Sequence, residues 1–198
     1  MSALATPWGY TVEVAGGTMP PILSVEEFRT LTSGRLSSTD EAIEAKIAAV
    51  SAAVRSHCGW HVAPALECSC ELDGGGSTLW LPCMGVSSVS SVEVAGEACE
   101  GFQWAPRGEL RLPTRTPDVL RCVAVAYVAG FDPAASPDLA QVVAQVAAND
   151  LCAAPGLREE HTGSVGATYN MTESGVSGGV RLLASDRLAL APWRIENA

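Results

Sequence analysis

The apolar pattern of this chain changes period at Gly59, and no all-helical or all-strand fold accommodates both sides of that change. Before it, Ile43, Ile47, Val50 and Val54 recur at spacings of four, three and four, one face of an α-helix, with Ala49 and Ala53 widening the stripe. After it, LECSCEL alternates Leu66, Cys68, Cys70 and Leu72 with Glu67, Ser69 and Glu71, the period of a half-buried strand. The helix also carries its own ends. Ser38 with Glu41 forms a capping box, which predicts a start at that serine. Gly59 supplies a residue able to adopt the left-handed conformation after the last turn, and Trp60 can fold back on that turn. The spacing predicts an amphipathic helix of about five turns.

On the N-terminal side, Pro7, Gly9, Gly16, Gly17, Pro20 and Pro21 punctuate residues 1–23 too densely for a helix and predict an extended arm, in which YTVEV can form an edge strand. Ser24 with Glu27 is a second capping box opening SVEEFRTL, whose Val25, Phe28 and Leu31 can pack on the long helix. On the C-terminal side, DGGGS between LECSCEL and TLWLP predicts a hairpin. VSSVSSVEVAG continues the β pattern, but Val86, Val89, Val92 and Val94 break strict alternation, which points to a bulge. FQWA and ELRL flank PRG as a further short hairpin. VLRCVAVAYVAG has Val and Ala on both faces and reads as a central strand.

Helix returns at Ser136, with Pro137 in the first helical position and Asp138 in the positive first turn. Leu139, Val142, Val143, Val146 and Leu151 keep its period until Pro155-Gly156. Residues 157–180 are polar, rich in Gly, Ser and Thr, and expected to be mobile in an isolated chain. The end regains periodicity in Leu182, Leu183, Leu188 and Leu190, which gives it the character of a docking tail. The fold class these signals give is α+β. Two main helices plus short helices, at 24–60 and 136–154, form a helical core with an antiparallel β section inserted at about 65–130. The core spans 24–156, between an N-terminal arm at 1–23 and a C-terminal arm at 157–198.

Composition narrows the function. With 198 residues, 47% hydrophobic and 17% charged, the chain can build a substantial core. A net charge of −10 opposes binding to nucleic acid, which needs Lys and Arg to neutralise phosphates. No stretch approaches the roughly 20 apolar residues that span a bilayer, and the first residues lack a secretory pattern, so the expectation is a soluble protein made in the cytoplasm. Seven cysteines without a secretory signal then read as reduced thiols in a core.

Several residues invite a chemical role. His57-Cys58, with His61 nearby, could form a thiolate and imidazole pair, but adjacent helical residues point about 100° apart and no orienting Asn or Asp accompanies them. A zinc site drawn from His57, Cys58, His61, Cys68, Cys70 and Cys83 fails on spacing, because Cys68 and Cys70 alternate as core residues of one strand. The run Gly74-Gly75-Gly76 lacks the Lys and Ser/Thr of a phosphate loop. Asn170-Met171-Thr172 has no consequence without secretion. Asp40, Glu41, Glu44, Glu159 and Glu160 read as solvated faces and helix-start charges, although around a DNA channel their sign would repel the polymer and let it slide. No cofactor or metal site is expected.

The order of signals carries more than any one of them. A capped helix ending in Cys58-Gly59-Trp60 is followed by a β section containing VSSVSSVEVAG and by a strand closing in VAYVAGFDPAASP. A helix beginning PDLAQVVAQVAANDL and a Gly/Ser-rich extension complete the order. Over residues 22–155, and most strongly in the Y-x-AG-x-x-x-x-P-x-D-L join from Tyr127 to Leu139, the chain resembles the head-tail connector, or adaptor, family of tailed bacteriophages and related gene-transfer particles. That resemblance implies a non-enzymatic structural protein of the virion neck, between capsid and tail. It implies a homo-oligomeric ring, typically twelve-fold, beneath the portal protein, which prolongs the DNA channel without specific DNA binding or membrane contact. Such a ring docks the next neck or tail protein, a stopper or tail terminator. On that reading Leu182, Leu183, Leu188, Leu190, Trp193 and Arg194 are the residues expected to dock on the portal or a neighbouring subunit. Two alternatives stay open: a small thiol enzyme using His57 and Cys58, and a ligand-binding β module using Trp80, Trp104 and Tyr127.

Overall fold

A computed structural model describes residues 2–34, 36–152, 159–162, 165–168, 180 and 182–195. The strands and helices in chain order begin with β1 (Ser2–Ala5), β2 (Thr11–Val14), α1 (Val25–Leu31) and α2 (Asp40–Cys58). They continue with β3 (Leu66–Leu72), β4 (Thr78–Trp80), β5 (Val86–Val94), β6 (Glu97–Ala98), β7 (Gln103–Trp104), β8 (Glu109–Arg111) and β9 (Val123–Ala129). The last are α3 (Pro137–Cys152), β10 (Glu159–Thr162), β11 (Val165–Thr168) and α4 (Ala184–Ala189). The chain divides into two compact units. Among the described residues, a β unit takes residues 2–20, Gly59–Asp132 and Ile195, and a helical unit takes those within Pro21–Cys58 and Pro133–Arg194.

In the helical unit the expected faces are buried at their centres, whereas Ala49 and Leu31 are exposed and Val25, Ala53, Val142 and Leu151 half-buried. Ile43, Ile47, Val50, Val54 and Cys58 of α2 are enclosed, as are Leu139, Val143, Ala144 and Ala147 of α3, and Phe28 of α1. Helices α1, α2 and α3 pack on one another, and α4 packs on α3. Lys46 of α2 forms an ion pair with the covered carboxylate of Asp150 on α3. The Ser24–Glu27 capping box forms as the sequence predicts, with the Ser24 amide donating to Glu27 Oε2 at 2.7 Å and the Glu27 amide to Ser24 Oγ at 3.2 Å. The box expected at Ser38 does not. The Ala42 amide instead donates to Thr39 Oγ1 at 3.3 Å, and α2 starts one residue later. The physical reason is Arg29, whose guanidinium takes the Ser38 carbonyl at 3.1 Å and the Asp40 carboxylate at 2.6 Å. That link ties α1 to the start of α2 and leaves Thr39 nearest the free amides. At the other end Gly59 has φ +79°, as its capping role requires.

The β unit is larger than the sequence reading placed it. Residues 2–20 do not stand apart as an arm: β1 and β2 pair with each other and β2 pairs with β3, giving a six-stranded antiparallel sheet in the order β1-β2-β3-β9-β5-β6. Strand β9 is central, as expected, between β3 and β5. The hairpin expected from β3 into β4 is absent, because β4 joins a separate three-stranded sheet, β4-β8-β7. Around Asp73–Gly76 the chain is held by the segment 116–121 instead. The Gly74 amide donates to the Val119 carbonyl at 2.9 Å, the Arg121 amide to Asp73 Oδ1 at 2.9 Å, and Thr116 Oγ1 to the Gly76 carbonyl at 2.8 Å. A Cβ on Gly74 would lie 1.9 Å from the Pro117 carbonyl oxygen, so only glycine fits there.

The spacing of VSSVSSV has a structural cause. Val86, Val89 and Val92 oppose Ala129, Tyr127 and Val125, so every third residue of β5 meets every second residue of β9. Ser87 and Ser90 are the extra residues of two bulges, and their hydroxyls donate to the carbonyls of Val128 at 3.4 Å and Ala126 at 3.0 Å. The triplet repeat is therefore an ordinary alternating face read across two insertions.

Candidate functional site

The two faces of the six-stranded sheet have opposite characters. Val12, Cys68, Cys70, Val92, Val125 and Tyr127 point into the core. Cys83, in the segment after β4, is buried as well. All seven cysteines are free thiols. Burial pushes Cys68 and Cys70 up to about 12, so at neutral pH both are protonated. The Tyr127 hydroxyl is driven up as well, by burial first and then by the thiols around it, and so stays neutral.

The opposite face is open. Thr11, Ser69, Ala126 and Ser91 lie side by side across β2, β3, β9 and β5, and Glu71, Ala124 and Glu93 form the next row. These small side chains floor a groove of about 560 Å³, bounded on one side by Thr6, Gly9 and Tyr10 and on the other by Arg121. Exposed Glu13 and Glu67 sit opposite each other on the same face. Arg121 pairs with Glu71 at 2.8 Å, so the face retains three carboxylates more than it has cations among these five charges.

A second surface lies on the small sheet. Its Leu79 and Leu110 are buried, whereas Trp80 is 51% and Trp104 37% exposed. Glu109 accepts from Arg107 Nη2 at 2.7 Å and from Arg111 Nε at 2.7 Å. These bonds, Arg107 first and Arg111 next, hold the Glu109 carboxyl below the ordinary carboxylate range. Arg107 also lies over the Trp80 ring, 5.2 Å from its centroid. Trp104, Glu109 and Arg111 line a small hollow of about 180 Å³.

One buried cluster positions these faces. The Tyr10 hydroxyl donates to His61 Nδ1 at 2.7 Å and accepts the His61 amide at 2.9 Å, and His61 Nε2 donates to the Ala129 carbonyl at 2.9 Å. The carbonyl partner at Nε2 fixes the tautomer, leaving Nδ1 as the acceptor. Gly130, next in the join, has φ +122°, and a Cβ there would meet the Pro64 carbonyl oxygen at 2.5 Å and His61 Nε2 at 2.9 Å. The Trp60 ring sits edge-on to Phe131, centroids 5.7 Å apart.

This fold recurs in solved structures. It matches a chain of the virion of a native gene transfer agent particle over 96% of both chains, with TM-score 0.61 and 20% identity. It also matches a chain from the neck of the empty particle, computed with C6 symmetry, over 96% of both chains, with TM-score 0.60 and 20% identity. The fold is one found in the neck of a gene transfer agent. A further neck structure, of the native particle and computed with C12 symmetry, matches over 94% of this chain and 96% of that one, with TM-score 0.53 and 20% identity. No protein-family model and no curated protein sequence matches the chain. The expected resemblance to head-tail neck proteins is thus met at the level of fold.

Within this fold the residues expected to dock are divided. Leu182 and Leu190 are buried, Leu183 and Trp193 half-buried, and Leu188 and Arg194 exposed, with Leu188 at 77%. The expected mobility of 157–180 and the sequon at Asn170 lie for the most part outside the described residues. Cys58 is fully buried and its thiol is pushed up to about 12, by burial against a smaller pull from Arg194, which is the reverse of an activated nucleophile. Tyr127 lies in the core, so it forms no exposed aromatic platform with Trp80 and Trp104. Among the described residues no group of three His, Cys, Asp or Glu is placed to hold a metal, and no helix is long and apolar enough to cross a membrane. Sequence reasoning missed the small-residue groove, and it named Trp80 and Trp104 without the charges beside them. Arg107-x-Glu109-x-Arg111, charges two residues apart running from the turn into β8, was the available signal for those charges.

Proposed function

We propose that copies of this chain form a ring in the neck of a tailed-phage-like particle, between the portal and the first tail or stopper protein. The observation that carries this reading is a likeness running through nearly the whole chain, both units included, to neck structures computed with C6 and C12 symmetry. A twelve-fold ring would extend the DNA channel. The net charge of −10 supports a wall that repels the phosphate backbone and lets DNA pass without adhesion. The end of the chain serves docking to the portal or a neighbour: Leu182 and Leu190 anchor the segment, while Leu188 and Arg194 meet the partner.

The test is to tag the protein in assembling particles and image them. Gold label is expected at the head-tail junction, and cells lacking the protein are expected to accumulate filled heads without tails. Label on tail tips or on the capsid shell would sink the proposal. A double substitution of the tail, Leu188→Glu with Arg194→Glu, is expected to abolish capture by purified portal while leaving the fold intact. Unchanged capture would remove the tail from the interface.

A further inference from the structure

The two surfaces of the β unit are complementary in charge and lie on different sheets: Trp80 belongs to the small sheet, with Arg107 in the turn before β8, whereas Ser69 and Ala126 floor the groove of the six-stranded sheet. The first surface carries two guanidiniums against one carboxylate, with the exposed Trp80 ring beneath Arg107. The second is a groove floored by small side chains and lined by Glu93 and by the Glu71–Arg121 pair, so Glu93 is the carboxylate it offers to a cation. Two different surfaces of opposite charge on one chain make a head-to-tail contact, which closes into a ring when the rotation per copy allows.

We propose that the Trp80–Arg107 surface of one copy inserts into the Ser69–Ala126 groove of the next, with Arg107 meeting Glu93, and that this is the contact between subunits. The occupant of the groove is thus a second copy of this chain. The inference rests on the ring reading and names its interface. Trp80 supplies the large buried ring that interface centres favour, and Glu109 holds the guanidiniums in place before the partner arrives, which lowers the ordering cost of binding.

The full chain is tested by sedimentation over rising concentration. The wild type is expected to associate, whereas Arg107→Glu, Glu93→Arg and Ser69→Tyr each sediment as the 20.5 kDa monomer. An equimolar mixture of Arg107→Glu and Glu93→Arg is expected to associate again, since each protein then offers the surface the other lacks. Recovery in the mixture also shows that both variants are folded. Association of either charge variant alone at wild-type strength overturns the contact, as does a mixture that stays monomeric. So does a wild type that remains monomeric up to about 1 mM, where even a contact of roughly −4 kcal/mol is half formed. The neck reading is decided separately by the position of the tag in particles, so a failed contact with label at the neck points to another subunit interface.

Discussion

Tyr10 and His61 exchange two hydrogen bonds across 51 residues of sequence: the phenol donates to Nδ1 at 2.7 Å and its oxygen takes the His61 amide at 2.9 Å. Because His61 Nε2 reaches on to the Ala129 carbonyl, this pair joins β2, the turn after α2 and the end of β9 in one buried network. Both residues are nearly or fully inaccessible, so the bonds compete with desolvation rather than with water.

Tyr10→Phe keeps the ring and removes both bonds. The expected loss is about 2–4 kcal/mol of unfolding free energy, from two buried polar atoms deprived of this partner. Chemical denaturation with unchanged slope would show it; a loss under about 0.5 kcal/mol would mean that water replaces the hydroxyl.

Gly130→Ala adds a methyl where the Pro64 carbonyl oxygen stands 2.5 Å away, at a φ of +122°. Gly96→Ala, at φ +83° with open space around it, bears the backbone strain alone. Thermal unfolding should therefore rank Gly130→Ala well below Gly96→Ala, the second costing on the order of 1 kcal/mol. Equal melting temperatures would show that Pro64 shifts aside without penalty.

Thr39→Ala removes the hydroxyl that accepts the Ala42 amide and should cost about 1 kcal/mol. Ser38→Ala should cost almost nothing, since only the Ser38 carbonyl is engaged. The reverse order in denaturation midpoints would restore the capping box expected from sequence.

The buried thiols predict an alkaline limit. Cys68 and Cys70 stand at about 12 in the folded chain against 9.0 in the unfolded one, so the unfolded chain releases protons first. Their contribution to stability is complete below pH 9 and is lost as pH rises towards 12. Unfolding free energy followed over that window should fall less steeply in Cys70→Ala than in the wild type. At pH 8 a disulfide-exchange reagent should reach exposed Cys152 rapidly and leave Cys58, Cys68, Cys70 and Cys83 untouched until the chain unfolds.

Glu109 predicts an acid response at the Trp80 surface. Its carboxyl lies below 4.5, so its bonds to Arg107 and Arg111 persist above that pH and are lost only as pH falls through the lowered value. Trp80 fluorescence, isolated by comparison with Trp80→Phe, should be constant from pH 8 to 5 and change only at stronger acid. Glu109→Gln should show the released signal at every pH.

The amino-acid sequence determined what depends on neighbours within a turn or a strand. The faces of α2 and α3, the cap at Ser24, the stop at Gly59, the alternation of Cys68 and Cys70, and the irregularity of VSSVSSV were all legible, because period and capping are set by residues one to four positions apart. Tertiary structure decided which strands pair. TLWLP follows DGGGS closely enough to suggest a hairpin, yet LECSCEL lies between β2 and β9, where both neighbours extend its buried Cys68 and Cys70 row with Val12, Tyr127 and Val125. That gain of apolar burial is distributed over more than 50 residues of chain, and no local pattern carries it. The same holds for Thr39 in place of Ser38, which turns on where Arg29 reaches. It holds also for the groove over Ser69, which exists only because one sheet buries its Cys and Val face and presents its Ser, Ala and Glu face outward.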